Sequence, residues 1–195
     1  MGSDMATPWE EYQLAQAAYL QNQSTVNLLS STTLASAAAS ITFSAIPQTY
    51  ASLMLVLAVK SASTVTGYTA DNAVIQVNGV TTATYTACYI ENASGTSSAS
   101  FVTGATSSGV GNIWNSFSGN TLGTGGVAVF IPGYSQSTFR FNSVSFSYAS
   151  DAGAAGQLMF SGGSNQTAAA ITSVALKTGS GSNFVTGSYA ALYGM

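Results

Sequence analysis

Residues 52–60, Ser52-Leu53-Met54-Leu55-Val56-Leu57-Ala58-Val59-Lys60, decide the fold class. Leu53, Leu55, Leu57 and Val59 share one parity, and Met54, Val56 and Ala58 share the other. With a side-chain period of two, such a strand is apolar on both faces, which predicts a central place in a sheet.

Working outward, shorter strand-like runs fall at 41–45, 73–77, 83–90, 113–117, 127–131, 139–148, 157–160, 171–176 and 184–193. Gly, Ser and Asn turns separate them, with Pro132-Gly133 the plainest turn. Eight or more short strands without intervening helices predict an all-β, antiparallel two-sheet sandwich, jelly-roll-like in its connections. In 139–148, Phe139 and Phe141 lie on one parity while Val144, Phe146 and Tyr148 lie on the other. That switch predicts a β-bulge near Asn142-Ser143 or a strand passing between sheets. The Gly/Ser-rich stretches 92–100, 104–111, 123–126 and 161–164 read as hairpin tips or loops.

Upstream, residues 7–23 carry the one helix signal. Thr7 at the N-cap, Pro8 at the first helical position and Glu10 form a capping signature, with Glu10 and Glu11 at the positive end of the helix dipole. Trp9, Tyr12, Ala15 and Tyr19 build an aromatic stripe, and Leu20 adjoins it. So short a helix needs a surface to pack on, either its own sandwich or a neighbouring subunit. The docking residues expected are Trp9, Tyr12, Tyr19 and Leu20. Residues 24–40 show no clear period and read as a connector or extended arm. The expected division is therefore an N-terminal helix and arm over 1–40 and a β-sandwich over 41–195.

Composition narrows the function. Of 195 residues, 46% are hydrophobic and only 5% are charged, against about 25% in an average protein. A surface so poor in Lys and Glu suits fixed assembly, although exposed Ser/Thr-rich strands explain part of the bias. Nucleic-acid binding is disfavoured because Lys60, Arg140 and Lys177 cannot form a basic stripe. No apolar run reaches the length of a transmembrane helix, and the N-terminus lacks the features of a secretory signal. The lone Cys88 reads as a small core residue.

Histidine is absent, which removes the ordinary Ser-His-Asp and Cys-His arrangements and imidazole metal ligands. Asp71, Glu91 and Asp151 are widely spaced, so a glycosidase-like acid pair would have to be assembled by folding. The glycine runs lack the residues of a phosphate-binding loop. No catalytic residues, metal site or cofactor are expected. Trp114, Tyr85, Tyr89 and Tyr134 are candidates for a sugar-stacking surface, with core packing the commoner use of such residues.

Ile41-Thr-Phe-Ser-Ala-Ile-Pro-Gln-Thr-Tyr50 followed by Leu53-Met-Leu-Val-Leu57, the Val77-Asn78-Gly79 segment, the closing Leu192-Tyr193-Gly194 and the upstream Pro8-Trp9-Glu10-Glu11-Tyr12 resemble a recurrent β domain of tailed-bacteriophage virion proteins. The match spans positions 7 to 194, with the middle third similar only in texture. The resemblance implies location on the virion, at the capsid surface or the tail. It implies contact with a major capsid protein or tail proteins, homotrimeric assembly and no catalytic residues. A capsid decoration (cement) protein is the first expectation, and a tail-fibre adhesin binding host polysaccharide the alternative. This chain departs from the pattern in carrying fewer charges along its strands.

Overall fold

The computed structural model describes residues 26–64, 70–93, 95–114, 125–137, 140–151 and 154–195. The expected helix, and with it Trp9, Tyr12, Tyr19 and Leu20, lies outside the described residues. Within them the chain is all-β. Its strands are β1 (Asn27–Thr33), β2 (Ile41–Phe43), β3 (Ser52–Val59), β4 (Ala70–Val77), β5 (Tyr85–Ala93), β6 (Thr96–Ala105), β7 (Ser108–Trp114), β8 (Gly125–Pro132), β9 (Arg140–Asp151), β10 (Ala154–Ala168), β11 (Val174–Thr178) and β12 (Tyr189–Gly194).

These strands form two antiparallel sheets. The large sheet has the order β1-β12-β3-β8-β9-β10-β5-β6, and the small sheet the order β2-β11-β4-β7. The doubly apolar stretch 52–60 is central, as expected: β3 lies between β12 and β8. Its Leu53, Leu55, Leu57 and Val59 are buried against Ile41, Phe43, Ile75, Val174 and Leu176 of the small sheet, so the two sheets share one core in a sandwich-like arrangement.

Turn chemistry fixes the connections. Asn78 and Gly79 both take positive φ (52° and 68°), and Val80 N–H bonds the Val77 carbonyl at 3.0 Å, which closes a tight primed-type turn after β4. The Asn78 side chain also reaches across the chain, donating to the Ala170 carbonyl and accepting from the Thr172 and Ser173 amides. Tyr85 is fully buried, and its hydroxyl accepts from Val77 N–H while donating to the Val80 carbonyl. Gly194 pairs with Leu53 under the ring of Tyr50, and a Cβ there would stand 2.5 Å from that ring. The segments around Tyr50 and Leu192–Gly194, far apart in sequence, thus pack together.

Several expectations are corrected. Residues 96–100 belong to β6 rather than a loop, and 104–111 are split between the end of β6 and the start of β7. Gly125 and Gly126 open β8. Residues 161–164 are the middle of β10, paired with β9 on one side and β5 on the other. Part of the arm is itself sheet, because β1 pairs with β12. Cys88 is exposed, since Tyr85 and Ala87 take the inward parity of β5. β9 stays in the large sheet, and the irregularity beside Asn142 falls on its neighbour, where extra residues between Ser164 and Ala168 of β10 oppose residues 140–142.

Candidate functional site

Among the residues singled out for chemistry, Asp71, Glu91, Tyr85 and Tyr134 have structural uses. Asp71 of β4 accepts from the Ser61 and Ser180 hydroxyls, each at 2.6 Å, and from the backbone amides of Asn72 and Ser180. Its carboxylate is thereby committed to pinning the turn after β11 onto β4. Glu91 sits on β5 in the large sheet and accepts from Ser98 at 3.0 Å, while Asp151 ends β9. Among the described residues, no cluster of three or more His, Cys, Asp or Glu side chains forms a metal site. Tyr85 and Tyr134 are buried; Tyr134 donates to the Pro47 carbonyl. Tyr89 is half-buried on β5, and Trp114 ends β7.

The two faces of the large sheet around β9 and β10 are inverted relative to the usual rule. Ser143, Ser145 and Ser147 of β9 face inward and are buried, while Val144, Phe146 and Tyr148 face outward and are exposed. On β10, Met159, Ser161, Gly163 and Asn165 point in, and Leu158 and Phe160 point out.

The cause of the polar interior is β7, which crosses close beneath. A Cβ on Gly111 of β7 would stand 2.5 Å from the Ser147 Cβ, and one on Gly163 of β10 would overlap the Ser108 hydroxyl. Only small side chains fit at that separation. Ser145 and Ser161 share a 2.5 Å hydrogen bond in the seam, which satisfies hydroxyls that burial would otherwise penalise. Ser108 Oγ and Asn165 Nδ2 are buried there without a partner.

The outer face is continuous across the sheet. Strand register places Tyr193, Met54, Phe130, Val144, Cys88 and Phe101 in one lane, with Leu28 at one end and Gly162 between Val144 and Cys88. Beside it runs a second lane of Val56, Ala128, Phe146, Phe160, Ile90 and Ala99. A third carries Tyr189, Ala58, Gly126, Tyr148 and Leu158. None of these residues is charged.

Phe146 and Phe160 hold each other, ring centroids 4.9 Å apart and tilted by 60°. Above the small residues Gly126 and Ala128 lies an open dip of about 360 Å³, walled by Val56, Phe146, Tyr148 and Leu158. Loss of hydration, followed by the neighbouring Tyr189, raises the Tyr193 hydroxyl above the ordinary tyrosine value. Phe101 is 68% exposed and Leu158 57%.

A monomer's largest apolar patch usually covers about 300–600 Å² and is often functional. The three lanes exceed that span, which makes this face the candidate functional surface. Sequence inspection placed Val144, Phe146 and Tyr148 on a common parity. It assigned them no outward direction, because apolar alternation looks the same whichever face is buried. The docking residues expected from the sequence, Trp9, Tyr12, Tyr19 and Leu20, lie outside the described residues. No protein-family model, curated protein or solved structure matches the chain.

Proposed function

We propose that this protein is a non-catalytic structural component of a tailed-bacteriophage particle, acting as a capsid decoration (cement) protein. The observation that carries the reading is the strand order. We read β1-β12-β3-β8 and β2-β11-β4-β7 as the two four-stranded sheets of a jelly roll. On this reading β5–β6 and β9–β10 are inserted hairpins that widen the first sheet. The jelly roll is an architecture of viral capsid and lectin domains.

Three further features support the reading. The low charge content suits a protein held among other subunits. Asp71, the acid best placed to be noticed, serves as a structural staple. The resemblance of residues 41–57 and 192–194 to virion proteins points the same way. On this reading the attachment to the shell is made by residues 7–23, whose sequence carries the helix signal, through Trp9, Tyr12, Tyr19 and Leu20.

The tail-fibre adhesin draws less support, because two of the four aromatics it would use for sugar stacking, Tyr85 and Tyr134, face the core. Electron cryomicroscopy of phage particles carrying the chain tests the proposal. Density over the head lattice, lost on deleting residues 1–23, is expected. Tail-only density, or particles that lack the protein, would overturn it.

A further inference from the structure

We propose that the outer face of the large sheet is the surface through which copies of this chain associate. The inference does not depend on the virion reading, because it stands on the sheet alone.

The first argument is size. The first lane spans eight strands, the second six and the third five, and each position covers about 4.8 Å between strands by about 7 Å between lanes. The resulting footprint of roughly 640 Å² falls within the roughly 600–1,000 Å² per partner of a stable protein interface. No short segment or small ligand needs so broad a surface.

The second argument is charge. In a symmetric homo-oligomer the same patch appears on both partners, so any charge in it risks facing its own copy. The three lanes contain none, and a face without charge meets itself at no electrostatic cost. A lipid surface is a poorer fit, because interfacial binding draws on Lys and Arg beside the apolar face. The whole chain has three basic residues.

The third argument is shape. The face has both relief and recess: the Phe146–Phe160 pair stands above the sheet, and the dip over Gly126 and Ala128 lies beside it. A neighbouring copy brings rings of matching chemistry to that dip. Ring orientation is already restricted by the pair contact, which lowers the ordering cost of association.

Cys88 provides a built-in reporter, because it is exposed in the single chain and lies within the first lane. The full chain is followed by sedimentation velocity and by the rate at which a maleimide labels Cys88. The expected result is a mass that is a multiple of one chain, insensitive to high salt. Cys88 should label roughly tenfold more slowly than in a dissociated variant, since only the free fraction reacts.

Phe146→Ser combined with Phe160→Ser should give a species of single-chain mass, fast Cys88 labelling and an unchanged circular dichroism spectrum. Should that double variant fail to fold, Ala99→Glu, on the exposed edge strand β6, places one charge in the second lane and should dissociate the protein equally. Three outcomes would overturn the proposal. One is a wild-type protein of single-chain mass with freely labelled Cys88. Another is an oligomer whose mass and Cys88 protection survive the folded variants. The last is Cys88 protected in a species of single-chain mass, which would mean that residues 1–25 of the same chain cover the face.

Discussion

The β3–β8 region and the β9–β10 hairpin sit side by side in one sheet and obey opposite rules. In β3 and β8, Leu53, Leu55, Leu57, Val127, Val129 and Ile131 fill the space between the sheets. In β9 and β10 that inward role falls to serine, glycine and asparagine beside Met159, while Val144, Phe146, Tyr148, Leu158 and Phe160 are turned out. The difference is the distance to the opposing layer. Where the small sheet presents Ile75, Val174 and Leu176, there is room for branched side chains, and burial drives folding. Where β7 presents Gly111 and Ser108, there is room only for small side chains and bare backbone. Strand pairing on both sides and a hydrogen-bonded seam then hold the hairpin, and its apolar side chains are left for an external contact.

Substitutions can break or sharpen this contrast. The largest loss is expected for Leu55→Ala, a fully buried position in the central strand. It should lower unfolding free energy by about 3–4 kcal/mol, through lost transfer energy and the cavity left behind. Chemical denaturation checks this; a loss no greater than that of an outward residue would show that the β3 core is not the main source of stability.

Gly111→Ala comes next. The added methyl meets the Ser147 Cβ, so β7 must lift from β9, at a cost of about 1–3 kcal/mol. Adding Ser147→Gly should recover much of that loss, and a double-mutant cycle reads the coupling directly. Strict additivity would mean that the close approach of β7 is not what selects small residues on β9.

Ser145→Ala removes one partner of the hydrogen bond to Ser161 and should cost about 1 kcal/mol, measured by thermal unfolding. The smallest effect on the folded single chain is expected for Phe160→Ser. An outward side chain away from the core should change stability by less than about 0.5 kcal/mol. Measured on the dissociated protein, a much larger loss would place Phe160 in the chain's own core and reverse the assignment of faces.

The sequence was most legible where the core does the work. The parity of 52–60 revealed β3 and its central place, because apolar side chains on both faces leave no other arrangement. Asn78-Gly79, notable in the sequence only for its resemblance to virion proteins, makes its turn for an equally local reason, positive φ at two successive residues. Legibility failed where cross-strand pairing, rather than burial, makes the strand. β1 and β6 are edge strands of mostly Ser, Thr and Ala, with no apolar rhythm to mark them.

Gly162-Gly163 read as a hairpin tip because glycine usually marks turns; here Gly163 marks a close approach of β7. Cys88 read as core for its chemistry, whereas its place was set by the parity of Tyr85 and Ala87. The outward face was missed for a deeper reason. Which side of an alternating strand is buried depends on what lies opposite, and that is a property of residues elsewhere in the chain.

The position of β12 has a consequence for how the protein is made. β12 lies between β1 and β3, and Gly194 pairs with Asn27, so the last of the described strands to be synthesised joins β1 to the rest of the large sheet. At about 5–20 residues per second, translation from β1 to β12 takes on the order of 10–30 seconds. Throughout that interval β1 has no partner to pair with, and before it ends the aromatic strands β9 and β10 have been synthesised as well. Contacts so distant in sequence form late and slowly. The neighbouring nascent chains on one messenger carry the same unpaired strands and the same outward rings, which makes the polysome the place where this fold is most easily misassembled.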